Sequence, residues 1–354
     1  MLNWLSSLWP TRRLPAVELK SPAALDTALT QERLRADRSK STFAYVTLTP
    51  LESSCLERDL GTIAQILKGR LRATDVAGLH DPRRIGVILP ETSSEGAWKL
   101  ADDVCALFAA ESTGIYCDVA MYPTPPGSNE RNREAGEARQ SSSRRVVPLE
   151  SAFAQRISFT KRTLDIVGAV VAAVLFSPVL LAAAVAVKLT SPGPVLFQQR
   201  RYGFGGRPFM VLKLRTMFID AEQRKAELLH LSEQDGPAFK LKNDPRITPI
   251  GRFLRKTAID ELPQLWNVLR GEMSLVGPRP MDCRELDQCS SWERRRLDVM
   301  PGLTCIWQVE GGSKVTFTEW MRMDLRYIRT RSLFQDVRLL VRTAVAVLFC
   351  RASH

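Results

Sequence analysis

Between residues 41 and 122 the apolar positions switch repeatedly between two periods. Ser41–Thr49 reads as a strand, and Leu56, Leu60, Ile63, Leu67 and Leu71 then recur at helical spacing. Arg84–Leu89 reads as another strand, and Ala97, Leu100, Val104, Leu107 and Phe108 mark a second helix. Ile115, Cys117, Val119 and Met121 alternate, as a half-buried strand does. The pattern predicts a small α/β unit over 41–122, preceded by an N-terminal arm over 1–40. Pro123–Val147 is rich in Pro, Gly, Ser, Arg and Glu and has no period, so 123–150 is expected to be a linker to a second domain over 151–354.

That second domain opens on a different pattern. Ile166–Val187 is 22 residues without a charge. At about 1.5 Å per residue it is long enough for a hydrocarbon core of about 30 Å. Ser177-Pro178 lies at its middle, where proline removes a backbone donor and crowds the preceding turn. Both flanks are basic: Arg156, Lys161 and Arg162 before, Lys188, Arg200 and Arg201 after. Positive residues favour the cytoplasmic face, so a helix over 163–188 that breaks at Ser177-Pro178 and returns would suit both ends. A kinked single span and a buried core helix are the alternatives. Val337–Cys350 is apolar apart from Arg338 and Arg342, which suits a helix lying at an interface or an ordinary amphipathic surface helix.

Composition sharpens the division. The chain has 354 residues, 45% of them hydrophobic, and a net charge of +12. Residues 1–150 hold 19 Lys and Arg against 19 Asp and Glu, leaving 31 against 19 for the rest, so the whole excess lies in the second domain. An anionic partner follows: nucleic acid, anionic lipid or a phosphorylated substrate. Nucleic acid is the weakest of these, because no recognition helix, finger or RNA-binding motif accompanies the charge. Seven cysteines form no CxxC pair and there are only three histidines, which argues against a zinc site or a disulfide framework. Met1–Pro10 carries Trp4 and Trp9 but no basic stretch ahead of a long apolar core, so no cleavable signal peptide is expected.

Candidate chemistry concentrates between 197 and 334. Gly203, Gly205 and Gly206 lack the spacing of a phosphate loop and read better as a hairpin turn. Asp260 and Glu261 are adjacent acids just before Leu262-Pro263, with Arg252, Arg255 and Lys256 upstream. Proline suits a first helical turn, where the helix dipole also favours negative charge. Such a pair could attack phosphorus, bind metal or handle a proton, or could simply cap the helix.

Five stretches then appear in order: "KRTLDIVGAVVAAVLFSPVLL", "GPVLFQQRRYGFGGRPFMVLKLRTM", "DPRITPIGRFLRKTAIDELPQLWNVLRGEMSLVGPRP", "MPGLTCIWQV" and "DLRYIRTRSLFQDVRLLVRT". Together they resemble the monotopic polyprenyl-phosphate phosphoglycosyl transferases, the bacterial sugar transferases that begin exopolysaccharide and related glycan synthesis. The resemblance runs from about 158 to 348. It implies a re-entrant membrane helix broken at Ser177-Pro178 and a catalytic Asp260-Glu261 dyad. It implies Mg²⁺ near Asp260, a UDP-sugar donor, undecaprenyl phosphate as acceptor, and phosphate contacts from Arg255 and Arg279, with Lys213 and Arg215 as further candidates. In the family's proposed mechanism the aspartate attacks the sugar-bearing phosphate and expels UMP, and the lipid phosphate then attacks the phosphosugar-aspartate. The enzyme would face the cytoplasm from the inner membrane, among membrane lipids, and could form a homodimer. Two departures bear on the donor: Glu310-Gly311-Gly312 stands where Ser-Gly-Arg is common, and Cys305 where glycine is usual.

The first unit, around "LRATDVAGLHDPRRIGVILPETSSEGAWKLADDV", resembles a GGDEF domain. His80-Asp81-Pro82-Arg83-Arg84 occupies the place of the Gly-Gly-acidic turn, and Thr47-Leu48-Thr49 lacks the metal-binding aspartate. Two-metal phosphoryl chemistry needs those carboxylates, so a degenerate regulatory or assembly domain is expected.

Overall fold

The computed structural model describes residues 19–51, 56–109, 114–125, 146–233, 235–239, 241, 243–311 and 315–348. The chain divides into two compact units, Met1–Leu149 and Glu150–His354.

In the first unit β1 (Phe43–Pro50), β2 (Val76–Asp81), β3 (Arg84–Pro90), β4 (Ile115–Tyr122) and β5 (Val146–Pro148) form one sheet in the order β2-β3-β1-β4-β5. All neighbours pair antiparallel except β4 and β5, which run parallel. Strand alternation sorts the faces. Ala44, Val46 and Leu48 of β1 meet Ile63 and Leu67 of α2 (Leu56–Lys68) and Ala97, Val104 and Phe108 of α3 (Ser94–Ala109). Each fully buried Val, Leu, Ile or Phe side chain among them contributes about 1.5–3 kcal/mol.

The opposite face is covered by a helix, α1 (Pro22–Ser39), in the stretch read as an arm. Its Arg33 Nε donates to Tyr122 Oη at 3.2 Å, and that hydroxyl donates to Asp37 Oδ1 at 2.7 Å. The stretch read as linker ends in a strand, β5, that belongs to this sheet. The tryptophan-bearing first ten residues and most of the Pro/Gly/Ser-rich stretch lie outside the described residues.

The second unit begins with α4 (Phe159–Thr190), 32 residues and so about 48 Å long. It is long and apolar enough to cross a membrane, with a mean hydropathy of 2.7 over its most apolar window. Val174 and Leu181 near its middle are 70% and 68% exposed, an apolar surface that only lipid or another apolar partner would cover. α4 continues through Ser177 and Pro178 as one helix. Pro178 has no N–H to offer the carbonyl of Val174, and Ser177 Oγ donates to that oxygen instead, at 2.8 Å.

The first turns of α4 are anchored in the unit. Lys161 Nζ donates to Asp336 Oδ2 at 2.7 Å, and Asp165 Oδ1 accepts from Ser274 Oγ and Leu275 N. A hairpin of β6 (Leu196–Tyr202) and β7 (Pro208–Leu214) follows, turning at Gly205 and Gly206 with φ of 62° and 75°. That is the turn expected of those glycines. Then come α5 (Ala221–Leu228), α6 (Pro249–Lys256) and α7 (Gln264–Arg270). β8 (Ser274–Val276) pairs in parallel with β9 (Gly302–Thr304), separated in sequence by α8 (Cys283–Asp287) and α9 (Ser291–Arg294). The chain closes with α10 (Phe317–Thr330) and α11 (Leu333–Leu348). α11 leaves Phe334, Val337, Val341 and Val345 exposed along one stripe.

Candidate active site

Asp260 and Glu261 lie in a single 3₁₀ turn, Ile259–Glu261, between α6 and α7. The pair therefore stands one short turn before α7, close to the helix start that Pro263 predicts. Ala258 enters the turn at φ 56°, a left-handed conformation unusual for a residue with a Cβ. Both carboxylates are buried, 5% exposed each.

Their surroundings differ sharply. Glu261 is gripped on both oxygens: Arg279 donates through Nη1 to Oε2 at 2.9 Å and through Nη2 to Oε1, and Lys213 Nζ donates to Oε1 at 3.0 Å. Asp260 Oδ1 is buried and has no hydrogen-bond partner. Burial, then the neighbouring Glu261 charge, pushes the Asp260 carboxyl up to about 6, while Lys213, Arg255 and Arg279 pull the other way. Burial likewise pushes Lys213 down to about 8, against the pull of Glu261. For Arg279 burial opposes the charge, but Glu261 outweighs it and the guanidinium is held above its ordinary range. The result is one saturated carboxylate and one with a free, weakly solvated oxygen. A desolvated anion with spare lone pairs suits nucleophilic attack or a bond to a hard cation.

Each cation is placed by a neighbouring element. Asn267 of α7, fully buried, accepts from Leu212 N at 3.0 Å and donates to Met210 O at 2.8 Å, pinning β7 beside the dyad and so aiming Lys213. Arg279 sits in Gly277-Pro278-Arg279-Pro280 just beyond β8. A Cβ on Gly277 would come within 2.3 Å of Met300 O, so only glycine lets this segment run against residues 300–302. Arg296 Nη2 donates to the Arg279 carbonyl and Arg201 Nη1 to the Pro280 carbonyl. Arg296 is itself held by Asp324 at 2.8 Å, with its guanidinium 5.1 Å from the centre of the Trp320 ring.

The remaining candidates fall into two groups. Arg255, at the end of α6, lies within electrostatic reach of Asp260 and donates through Nε to Thr216 Oγ1 at 2.9 Å. Arg215 turns instead to the end of α4, where Nη2 donates to Ser191 O and Oγ. Ser177 and Pro178 lie within α4, apart from the dyad in sequence and in role. Sequence reasoning did not single out Asn267, Arg296 or Asp324, and it named Arg201 only as a basic flank of the apolar segment. The basic run Arg200-Arg201 in the hairpin was the one available signal; a single buried Asn or Asp in a helix leaves no pattern.

The two departures from the family pattern also have a structural place. Glu310 accepts from Arg326 at 2.8 Å and from Arg342 at 2.5 Å, tying the turn after Trp307 to α10 and α11. Cys305 is buried, its thiol pushed up to about 12 by burial, so it stays protonated and inert.

Comparison with known proteins bears on the second unit. A galactosyl transferase, CpsE, of Streptococcus agalactiae is 43% identical over 189 residues, 53% of this chain and 42% of that protein. A UDP-glucose:undecaprenyl-phosphate glucose-1-phosphate transferase of Caulobacter vibrioides is 46% identical over 202 residues, 54% of this chain and 71% of that protein. The chain thus spans less than half of the first relative's length. Among solved structures, the GGDEF domain of a Pseudomonas aeruginosa protein is 20% identical, covering 38% of this chain and 99% of that one, with a TM-score of 0.28. That likeness is slight, and the fold of the first unit rests on its own strand order. The family described as bacterial sugar transferase matches residues 156–350, more than half the chain and almost all of the second unit, and the protein belongs to that family.

Proposed function

We propose that this chain transfers a sugar 1-phosphate from a UDP-sugar to undecaprenyl or a related polyprenyl phosphate, releasing UMP. The observation that carries the reading is the asymmetry of the dyad: Glu261 is saturated by Arg279 and Lys213 while Asp260 keeps a buried oxygen free. In the first step that oxygen forms a bond to the sugar-bearing phosphorus, the diphosphate P–O bond breaks, and UMP leaves with the electron pair. In the second, an oxygen of the lipid phosphate attacks the same phosphorus. The aspartyl P–O bond breaks and Asp260 is restored as a carboxylate. Arg279 and Lys213, rigidly held and largely desolvated, would stabilise charge that builds on the phosphoryl oxygens. Glu261 acts here by orienting those two cations rather than by moving a proton, because both its oxygens are already engaged.

Magnesium fits this donor set in one way. Among the described residues no cluster of three or more His, Cys, Asp and Glu could cage an ion. Mg²⁺ commonly binds through one carboxylate, water and substrate phosphates, and Asp260 supplies such an oxygen. Bound there, the ion would shield the negative charge of the diphosphate.

The likeness to the Caulobacter UDP-glucose:undecaprenyl-phosphate glucose-1-phosphate transferase supports a UDP-sugar donor and an undecaprenyl phosphate acceptor for this chain. α4 would enter the bacterial cytoplasmic membrane from the cytoplasmic side, bend at Ser177-Pro178 and return, keeping the catalytic unit in the cytoplasm. The missing donor at Pro178, the Ser177 hydroxyl on the Val174 carbonyl and the basic residues at both ends support that bend. The test is UMP release by the full chain in nanodiscs, with a panel of UDP-sugars, Mg²⁺ and undecaprenyl phosphate. Lipid-dependent release from one donor is expected. A folded protein that releases UMP from none would favour an inactive membrane scaffold instead.

A further inference from the structure

The first unit brings two cysteines from different elements face to face. Cys105 lies near the end of α3 and Cys117 near the start of β4, 12 residues apart in sequence, and their sulfurs are in contact at 2.9 Å. The other three described cysteines behave differently, each thiol donating to an oxygen: Cys283 to Arg200 O, Cys289 to Glu285 O and Cys305 to Gln308 Oε1. Helix α3 turns Ala101, Val104 and Phe108 into the core. Cys105, one position beyond Val104, sits at the rim of that face, half-buried, with Asp102 and Ala106 exposed on the same helix. Cys117 is half-buried too, and shares a face of β4 with Ile115 and Val119 against the same core.

The surroundings of the pair suit a dithiol that closes and reopens. β4 pairs with β1 along its whole length, which fixes Cys117, and α3 is held on the sheet by its core face, which fixes Cys105. From there the sulfurs need approach by only about 0.9 Å to reach the usual S–S bond of about 2.05 Å. The two thiols are not equivalent. The hydrogen bond from Cys117 pulls the Cys105 thiol below its ordinary range, against burial and the charge of Asp102, while Cys117 is held above its own. A more acidic, partly accessible thiol beside a less acidic one is the arrangement of an attacking and a resolving cysteine. In a reducing compartment such pairs rest as thiols and close transiently.

We infer that Cys105 and Cys117 form a reversible dithiol–disulfide site in the first unit, closed by a low-molecular-weight disulfide and tying α3 to β4. In the first step the Cys105 thiolate attacks one sulfur of the small disulfide. A mixed disulfide forms, the S–S bond of the oxidant breaks, and one small thiolate leaves with the electron pair. Cys117 then loses its proton and attacks the Cys105 sulfur, and the second small thiolate leaves. The two cysteines are oxidised by two electrons, the small disulfide is reduced to two thiols, and the two cysteine protons end on those thiols.

The full chain in nanodiscs, incubated with equimolar reduced and oxidised glutathione and alkylated while folded, tests this by peptide mass spectrometry. Proteolysis after Glu111 separates the two cysteines, so their bond is seen as a cross-link between peptides. At least half of the wild-type molecules are expected to carry the Cys105–Cys117 cross-link, and excess dithiothreitol to remove it. Cys117→Ser is expected to hold glutathione on Cys105, and Cys105→Ser to hold at least fivefold less on Cys117. The wild-type measurement stands by itself if a serine variant does not fold. Alkylation of both thiols in folded wild type after the incubation, or cross-linking of either to another cysteine, would overturn the inference. Equal glutathione on the two serine variants would overturn the assigned order of attack.

Discussion

Arg279 meets Glu261 fork to fork, both guanidinium nitrogens on both carboxylate oxygens, although 18 residues separate them in sequence. Such bidentate pairs fix orientation as well as charge. The pair builds a rigid wall beside Asp260, whose own carboxylate is left uncommitted on Oδ1. From that division of labour the two acids are expected to respond differently to the same mutation.

Asp260→Asn should lower turnover by at least about 10³-fold, as loss of a nucleophile does, while leaving folding and membrane association intact. Neutralising this side chain removes no hydrogen bond from Oδ1. Rate and thermal melting, measured on the same preparation, check both halves.

Glu261→Gln should lower activity and stability together. It strips the counter-charge from Arg279 and Lys213, which are 16% and 17% exposed at their side chains, and breaking a buried ion pair costs about 3–5 kcal/mol. A melting temperature equal to that of the wild type would show that the pair does not hold the site together.

Asn267→Ala leaves Leu212 N and Met210 O without their side-chain partner. Each unsatisfied buried group costs about 1–3 kcal/mol, and β7 should loosen beside Glu261. The expected signature is a fall in kcat at least as large as any rise in KM for the donor, because Lys213 loses its aim rather than its charge.

Without divalent cation, Asp260 should titrate near pH 6, two units above an ordinary carboxyl. Its folded-state value is raised, so the wild type loses stability relative to Asp260→Asn as pH rises from about 4 through about 6, and is level above that. Infrared difference spectra of wild type minus Asp260→Asn report the carboxylate band directly. Mg²⁺ should move the transition to lower pH, since a nearby cation favours the ionised form.

Cysteines placed at Arg156 and Lys188 should label with a membrane-impermeant reagent from the same face of the membrane. Labelling from opposite faces would make α4 a simple span.

Much of the first unit was legible because strand alternation and helical spacing are local: Ile63 and Leu67, read from period alone, do form the buried stripe of α2. α1 was missed because its buried face mixes Leu25, Leu29 and Ala36 with Arg33, and a buried arginine breaks the apolar pattern. β2 was missed because Gly78 and His80 interrupt it. In the second unit the dyad and Arg279 stood out as motifs. What could not be read was their pairing: Lys213 reaches Glu261 across 48 residues, and Asn267 reaches β7 across 55. Arg215 looked like an equal of Lys213 in sequence, yet its side chain belongs to the end of α4.

The covalent role of Asp260 is tested most directly by peptide mass spectrometry of the chain quenched in denaturant after incubation with its UDP-sugar donor and no lipid acceptor. A phosphosugar adduct is expected on the peptide containing Asp260, absent in Asp260→Asn and discharged when polyprenyl phosphate is added before the quench. An enzyme that forms lipid product at full rate while carrying no adduct, or carrying it on another residue, would contradict it.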